Sequence, residues 1–139
     1  LNFDLDLAKQ QSEKNPVFYV QYAHARICSI IRKFGNSKLQ NPNYKLLSHP
    51  SEIDLVKQLI RLPEVVEDTV KDYQVQRLPQ YALDVATVFH QFYRDCHVLR
   101  SSDEMSEDLS RARLSLVSAT GIMLKNILNL MGISAPEKM

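Results

Sequence analysis

Three residues in one short segment have the types and spacing to grip an unpaired base. Tyr19, Tyr22 and Arg26 stand at i, i+3 and i+7, so on a helix they share one stripe. Two aromatic rings beside a guanidinium can stack on splayed-out bases, while the guanidinium donates to a base edge or a phosphate. The same spacing fits half-buried rings at a core edge, with Arg26 laid over them. Spacing alone leaves both readings open. The stripe runs beside the apolar one, and His24 falls on the opposite flank, as a packing or hydrogen-bonding histidine.

Local charge is uneven in the same region. From Lys14 to Ser51 there are six basic residues, Lys14, Arg26, Arg32, Lys33, Lys38 and Lys45, and no Asp or Glu. Residues 52–72 reverse this, with Glu52, Asp54, Glu64, Glu67, Asp68 and Asp72 against Lys57, Arg61 and Lys71. A localised basic face is how a near-neutral domain tracks phosphates. A solvated helix face that lacks acids would look the same.

Other chemistry finds less support. Cys28 with His24, and Cys96-His97 with His90, each lack a third ligand or an orienting residue, so the cysteines read as helix-packing. Asp4 and Asp6 alternate in a DLDL run and read as solvated carboxylates. There is no Gly-rich phosphate loop, GxSxG or HExxH pattern, and no residue is assigned a catalytic or metal-binding role.

The elements that must position these side chains are helical. The chain has 139 residues, 45% hydrophobic and 24% charged, with net charge +1, which suits one domain with a real core. That balance excludes a disordered tail and a polycation. No apolar run has the length of a membrane span, and two distant cysteines suit a reducing compartment. Leu1 in place of an initiator Met fits a piece of a longer protein.

Asn15-Pro16 marks a helix start, and Val20, Ala23, Ile27, Ile30, Ile31 and Phe34 form its apolar stripe up to Gly35-Asn36. A loop over 35–50 follows. Ser51 then reads as the N-cap of a helix with Ile53, Val56, Leu59 and Ile60 inward, and Pro63 ends it. Val65, Val66, Thr69, Val70 and Tyr73 mark a third helix. Pro79 opens a fourth, with Ala82, Val85, Ala86, Phe89 and Phe92 inward. The acids Asp103, Glu104, Glu107 and Asp108 precede a last long helix, striped by Leu109, Leu116, Val117, Thr120, Leu124, Ile127, Leu128 and Met131 and capped by Gly132. The expectation is an all-α bundle of about five helices, with 1–14 as a connecting segment.

Two segments carry a family signature. NPVFYVQYAHARICSI (15–30) resembles the helix that opens the C-terminal domain of arginyl-tRNA synthetases, and RARLSLVSATGIMLKNILNLMGISAPEKM (111–139) resembles that family's closing helix and terminus. LNFDLDLAKQQSEK resembles the lead-in from the catalytic region, and FHQFYRDCHV (89–98) fits more loosely. The resemblance implies the helical, DALR-type anticodon-binding domain of a class I aminoacyl-tRNA synthetase, over 15–139. It places anticodon contacts on Tyr19, Tyr22 and Arg26, and by extension on Tyr93 and Met139. Arg32, Lys33, Lys38 and Lys45 would track phosphates. The implied partner is an arginine tRNA, with no DNA and no membrane, for a cytoplasmic monomer. The intact ligase would use ATP and Mg²⁺, neither bound within this part. The competing reading is a helical protein-interaction module that docks a partner helix on the Tyr19/Tyr22 stripe.

Overall fold

Asn15 sets the direction of the first long helix. Its side-chain oxygen accepts from the N–H groups of Val17 (3.1 Å) and Phe18 (3.4 Å), which have no partner inside the helix. Its amide nitrogen donates to the carbonyls of Ala8 and Gln10, both at 3.0 Å, and so ties down the preceding segment. A computed structural model describes residues 2–34, 42–98 and 106–139. Helix α1 is Leu5–Lys9, α2 Pro16–Phe34, α3 Pro50–Ile60, α4 Leu62–Asp72, α5 Arg77–Asp95 and α6 Glu107–Leu130, with a 3₁₀ turn at Tyr44–Leu46. The expected all-α bundle is present: among the described residues, five long helices and the short α1. Among the described residues none of the helices is long and apolar enough to cross a membrane.

Local expectations are corrected in α3 and α4, and the connecting segment gains a short helix. The segment before Asn15 contains α1, because Asp4 accepts from the Leu7 N–H at 2.9 Å and caps it. Helix α3 is capped by His49, not Ser51: His49 Nδ1 accepts from the Ser51 N–H, and Glu52 accepts from the N–H groups of Ser48 and His49, both at 2.8 Å. Pro50 sits in the first turn, where its missing N–H costs nothing, so the cap precedes it. The α3 stripe also rotates. Glu52, Leu55 and Leu59 are buried, whereas Ile53 and Ile60 are exposed. In α4, Val65 and Thr69 face inward while Val70 and Tyr73 face solvent. The Gly35-Asn36 stop and the acids Asp103 and Glu104 lie outside the described residues.

Helix α5 is the central element and packs against α2, α3, α4 and α6. Leu78, Tyr81, Ala82, Val85, Ala86, Phe89 and Phe92 bury one face of it. Helices α2 and α6 pack closely at Gly121, where a Cβ would sit 2.7 Å from Cγ2 of the buried Ile27. Past α6, Gly132 at φ +73° accepts the left-handed turn expected of it. Its N–H donates to the Asn129 carbonyl (3.0 Å), and the Ile133 N–H donates to that of Leu128 (2.9 Å). That turn sends residues 133–139 back along α2.

Candidate nucleic-acid interface

Between α2, α5 and residues 10–14 lies a groove of about 1060 Å³, whose wall includes Lys14, Tyr19, Tyr22, Arg26, His90 and Tyr93. A second depression of about 390 Å³ adjoins it and shares Tyr22 and Arg26, with Arg32, Lys138 and Met139 on its far side. Helix periodicity places Tyr19, Tyr22 and Arg26 on one flank of α2, and the packing of α5 brings Tyr93 against them. The Arg26 Cζ lies 4.4 Å from the Tyr93 ring centre and 6.0 Å from that of Tyr22. Tyr22 is 40% exposed, and Phe18 stacks on it with ring planes 10° apart.

The aromatic surface has a ring that sequence reasoning weighed only as a metal ligand. His90 packs its imidazole against Tyr19 (5.1 Å), Tyr22 (6.2 Å) and Phe89 (5.5 Å). Burial, then the nearby Arg26 charge, lower its pKa from the ordinary histidine value, and Glu13 offsets part of that. A helical stripe on α5 carries His90 and Tyr93 at i and i+3, but only the α2–α5 packing shows which surface they meet.

The second depression exists because α2 holds the chain's final segment by its backbone. Gln21 Nε2 donates to the Ser134 carbonyl (2.9 Å), His24 Nδ1 to that of Pro136 (2.9 Å), and the Arg32 guanidinium to that of Glu137 (3.1 and 3.2 Å). A carbonyl only accepts, so the proton of His24 is on Nδ1. His24 is therefore the buried, hydrogen-bonding histidine expected from its place on the helix. The clamp sets Met139 in the same depression as Tyr22 and Arg26.

The structure thus brings Tyr19, Tyr22, Arg26, Tyr93 and Met139 onto one continuous surface, with Arg32 at its edge. Lys33, at the end of α2, and Lys45, in the 3₁₀ turn, line neither depression. Lys38 lies outside the described residues. Lys14, from the basic run, also lines the surface, and Arg94 and Lys138 add cationic charge that a count along the chain did not single out.

The cysteines pack. Cys28 lies 3.8 Å from His24 Nε2, and burial, reinforced by Glu137, pushes its thiol up; burial also raises Cys96. Thiols held above their ordinary range are poor nucleophiles at neutral pH. Among the described residues no group of three His, Cys, Asp or Glu side chains could hold a metal ion.

The chain is 46% identical to arginine–tRNA ligases of Moorella thermoacetica and Symbiobacterium thermophilum, in each case over its full length and 25% of theirs. It thus spans about a quarter of these curated relatives. Its fold is similar to part of Thermus thermophilus arginyl-tRNA synthetase, with TM-score 0.80 and 31% identity over all of this chain and 24% of that one. Residues 20–139 match the model of the DALR anticodon binding domain, and the chain belongs to that family.

Proposed function

We propose that this chain is the anticodon-holding part of an arginine–tRNA ligase, and that the α2–α5 groove receives the unstacked anticodon bases. The observation that carries the proposal is the Arg26 guanidinium held 4.4 Å from the Tyr93 ring, in a groove also walled by Tyr19 and Tyr22. Bases leaving the loop re-stack on the tyrosine rings, each such contact worth about 1–3 kcal/mol. Arg26 supplies the fork of donors that a base edge or phosphate accepts. Its plane is oriented by Tyr93 before RNA arrives. Met139 adds an apolar contact beside Tyr22.

Lys14, Arg94, Arg32 and Lys138 neutralise phosphates along the two depressions, and Lys33, Lys38 and Lys45 extend the basic face beyond them. Residues 1–14 lead in from the catalytic part, as the family resemblance implies. The whole ligase uses ATP and Mg²⁺ in the cytoplasm to join arginine to its tRNA, and no step of that chemistry is assigned to residues of this chain. A partner-helix dock on the tyrosines is less well supported, because the rings are interleaved with Arg26 and flanked by Lys14 and Arg94.

Titrating the anticodon stem-loop of an arginine tRNA into the parent chain and its Arg26→Ala variant tests this reading. The variant should bind at least about tenfold more weakly, the loss expected for one stacked, donating contact. Equal binding by both removes Arg26 from the site.

A further inference from the structure

His90 differs from His24 and His49 in what its ring nitrogens do. His24 spends Nδ1 on the Pro136 carbonyl, and His49 spends Nδ1 on the cap of α3. The His90 ring packs against Tyr19, Tyr22 and Phe89, yet among the described residues no protein group hydrogen-bonds either nitrogen. Neither nitrogen is among the buried atoms left without a partner, and His90 lines the groove. The ring is thus fixed in orientation by packing while its hydrogen-bonding edge stays open.

We infer that His90 is a specificity-determining residue of the groove, offering one donor and one acceptor to the edge of an unpaired RNA base stacked beside Tyr19 and Tyr22. This rests on the anticodon reading above and adds to it the group that discriminates. Stacking on tyrosine tolerates any base, since every base has a π-face. Arg26 has donors only, so it favours acceptor edges. A neutral imidazole at the same surface rejects edges that present two donors or two acceptors. The lowered pKa keeps the ring in that neutral form near pH 7.

The groups facing His90 are Tyr19, Tyr22 and Arg26 from α2, Phe89, Tyr93 and Arg94 from α5, and Glu13 and Lys14 from the segment before α2. Acidification below the ordinary histidine range turns its acceptor into a second donor. The preferred base edge then shifts toward acceptors.

The test uses the parent chain, His90→Phe and His90→Asn, each titrated with the arginine-tRNA anticodon stem-loop and with stem-loops changed one loop base at a time. His90→Phe, which keeps a ring, should still bind but lose about tenfold of the preference at one loop position, the worth of one base-edge hydrogen bond. His90→Asn, which keeps a donor and an acceptor, should recover part of that preference. As pH falls from 7.5 to below the ordinary histidine range, the parent's preference should change while that of His90→Phe stays flat. Undiminished discrimination by His90→Phe overturns the role of His90 and leaves the anticodon reading standing. Failure of the parent to bind any stem-loop overturns the anticodon reading and this role with it.

Discussion

Glu52 shows how one residue can be indispensable to a fold and invisible to hydrophobic patterning. It is 1% exposed and accepts from the Ser48 and His49 N–H groups and from Arg113 Nε, so it caps α3 and ties that helix to α6 in one place. Breaking such a buried pair from one side costs about 3–5 kcal/mol. Glu52→Gln should lower unfolding free energy by about 3 kcal/mol in urea titration, and a change under 1 kcal/mol would mean the site relaxes around it. Site residues were legible to differing degrees for a related reason. Tyr19, Tyr22 and Arg26 belong to one helix, so their shared stripe follows from spacing. Tyr93 and Met139 reach it only through tertiary packing and the backbone clamp, which no local pattern encodes, and the family resemblance alone pointed to them.

At the scale of elements, the junction of α4 and α5 carries its own pH signature. Asp72 takes the Arg77 guanidinium in a two-pronged pair at 2.9 and 2.7 Å and also accepts from the Gln74 N–H. The Arg77 hydrogen bond holds the Asp72 carboxyl at about 2, well below an ordinary aspartate. A depressed carboxylate is worth most above its unfolded value, so this junction loses stability only as pH falls from about 4 toward 2. An NMR titration of Asp72 should give a midpoint near that lower value, and a midpoint near 4 would deny the pair. Where α2 meets α6, Gly121→Ala should destabilise by about 1 kcal/mol. Crowding against Ile27 costs about 1–3 kcal/mol, and the better helix propensity returns about 1 kcal/mol. Thermal unfolding reads the sign. Periodicity placed the α2, α5 and α6 stripes well because their inward residues are apolar. It misphased α3 because an ion pair, not a hydrocarbon, occupies its first inward position.

For the whole molecule, a net charge of +1 hides an uneven distribution: the two depressions carry more cations than their carboxylates, Glu13 and Glu137. Lys14, Arg26 and Arg94 in the groove and Arg32 and Lys138 beyond it give five cations along the proposed path. If each meets a phosphate, the logarithm of stem-loop affinity should fall with that of salt concentration at a slope of about −3.5, near 0.7 per contact. A slope near zero, measured across a salt series, would favour a partner helix over RNA.

The close approach at Gly121 has a consequence for how quickly such a surface can work. Ile27 is wedged against α6, so α2 is not free to roll about its axis, and any roll would carry Tyr19, Tyr22 and Arg26 out of line with His90 and Tyr93. The surface is therefore assembled in advance, and under the proposed function the ordering cost of association would fall on the RNA loop. Encounter with the protein should be a single kinetic phase, and any slow step should follow the unstacking of the loop, not a rearrangement of the helices.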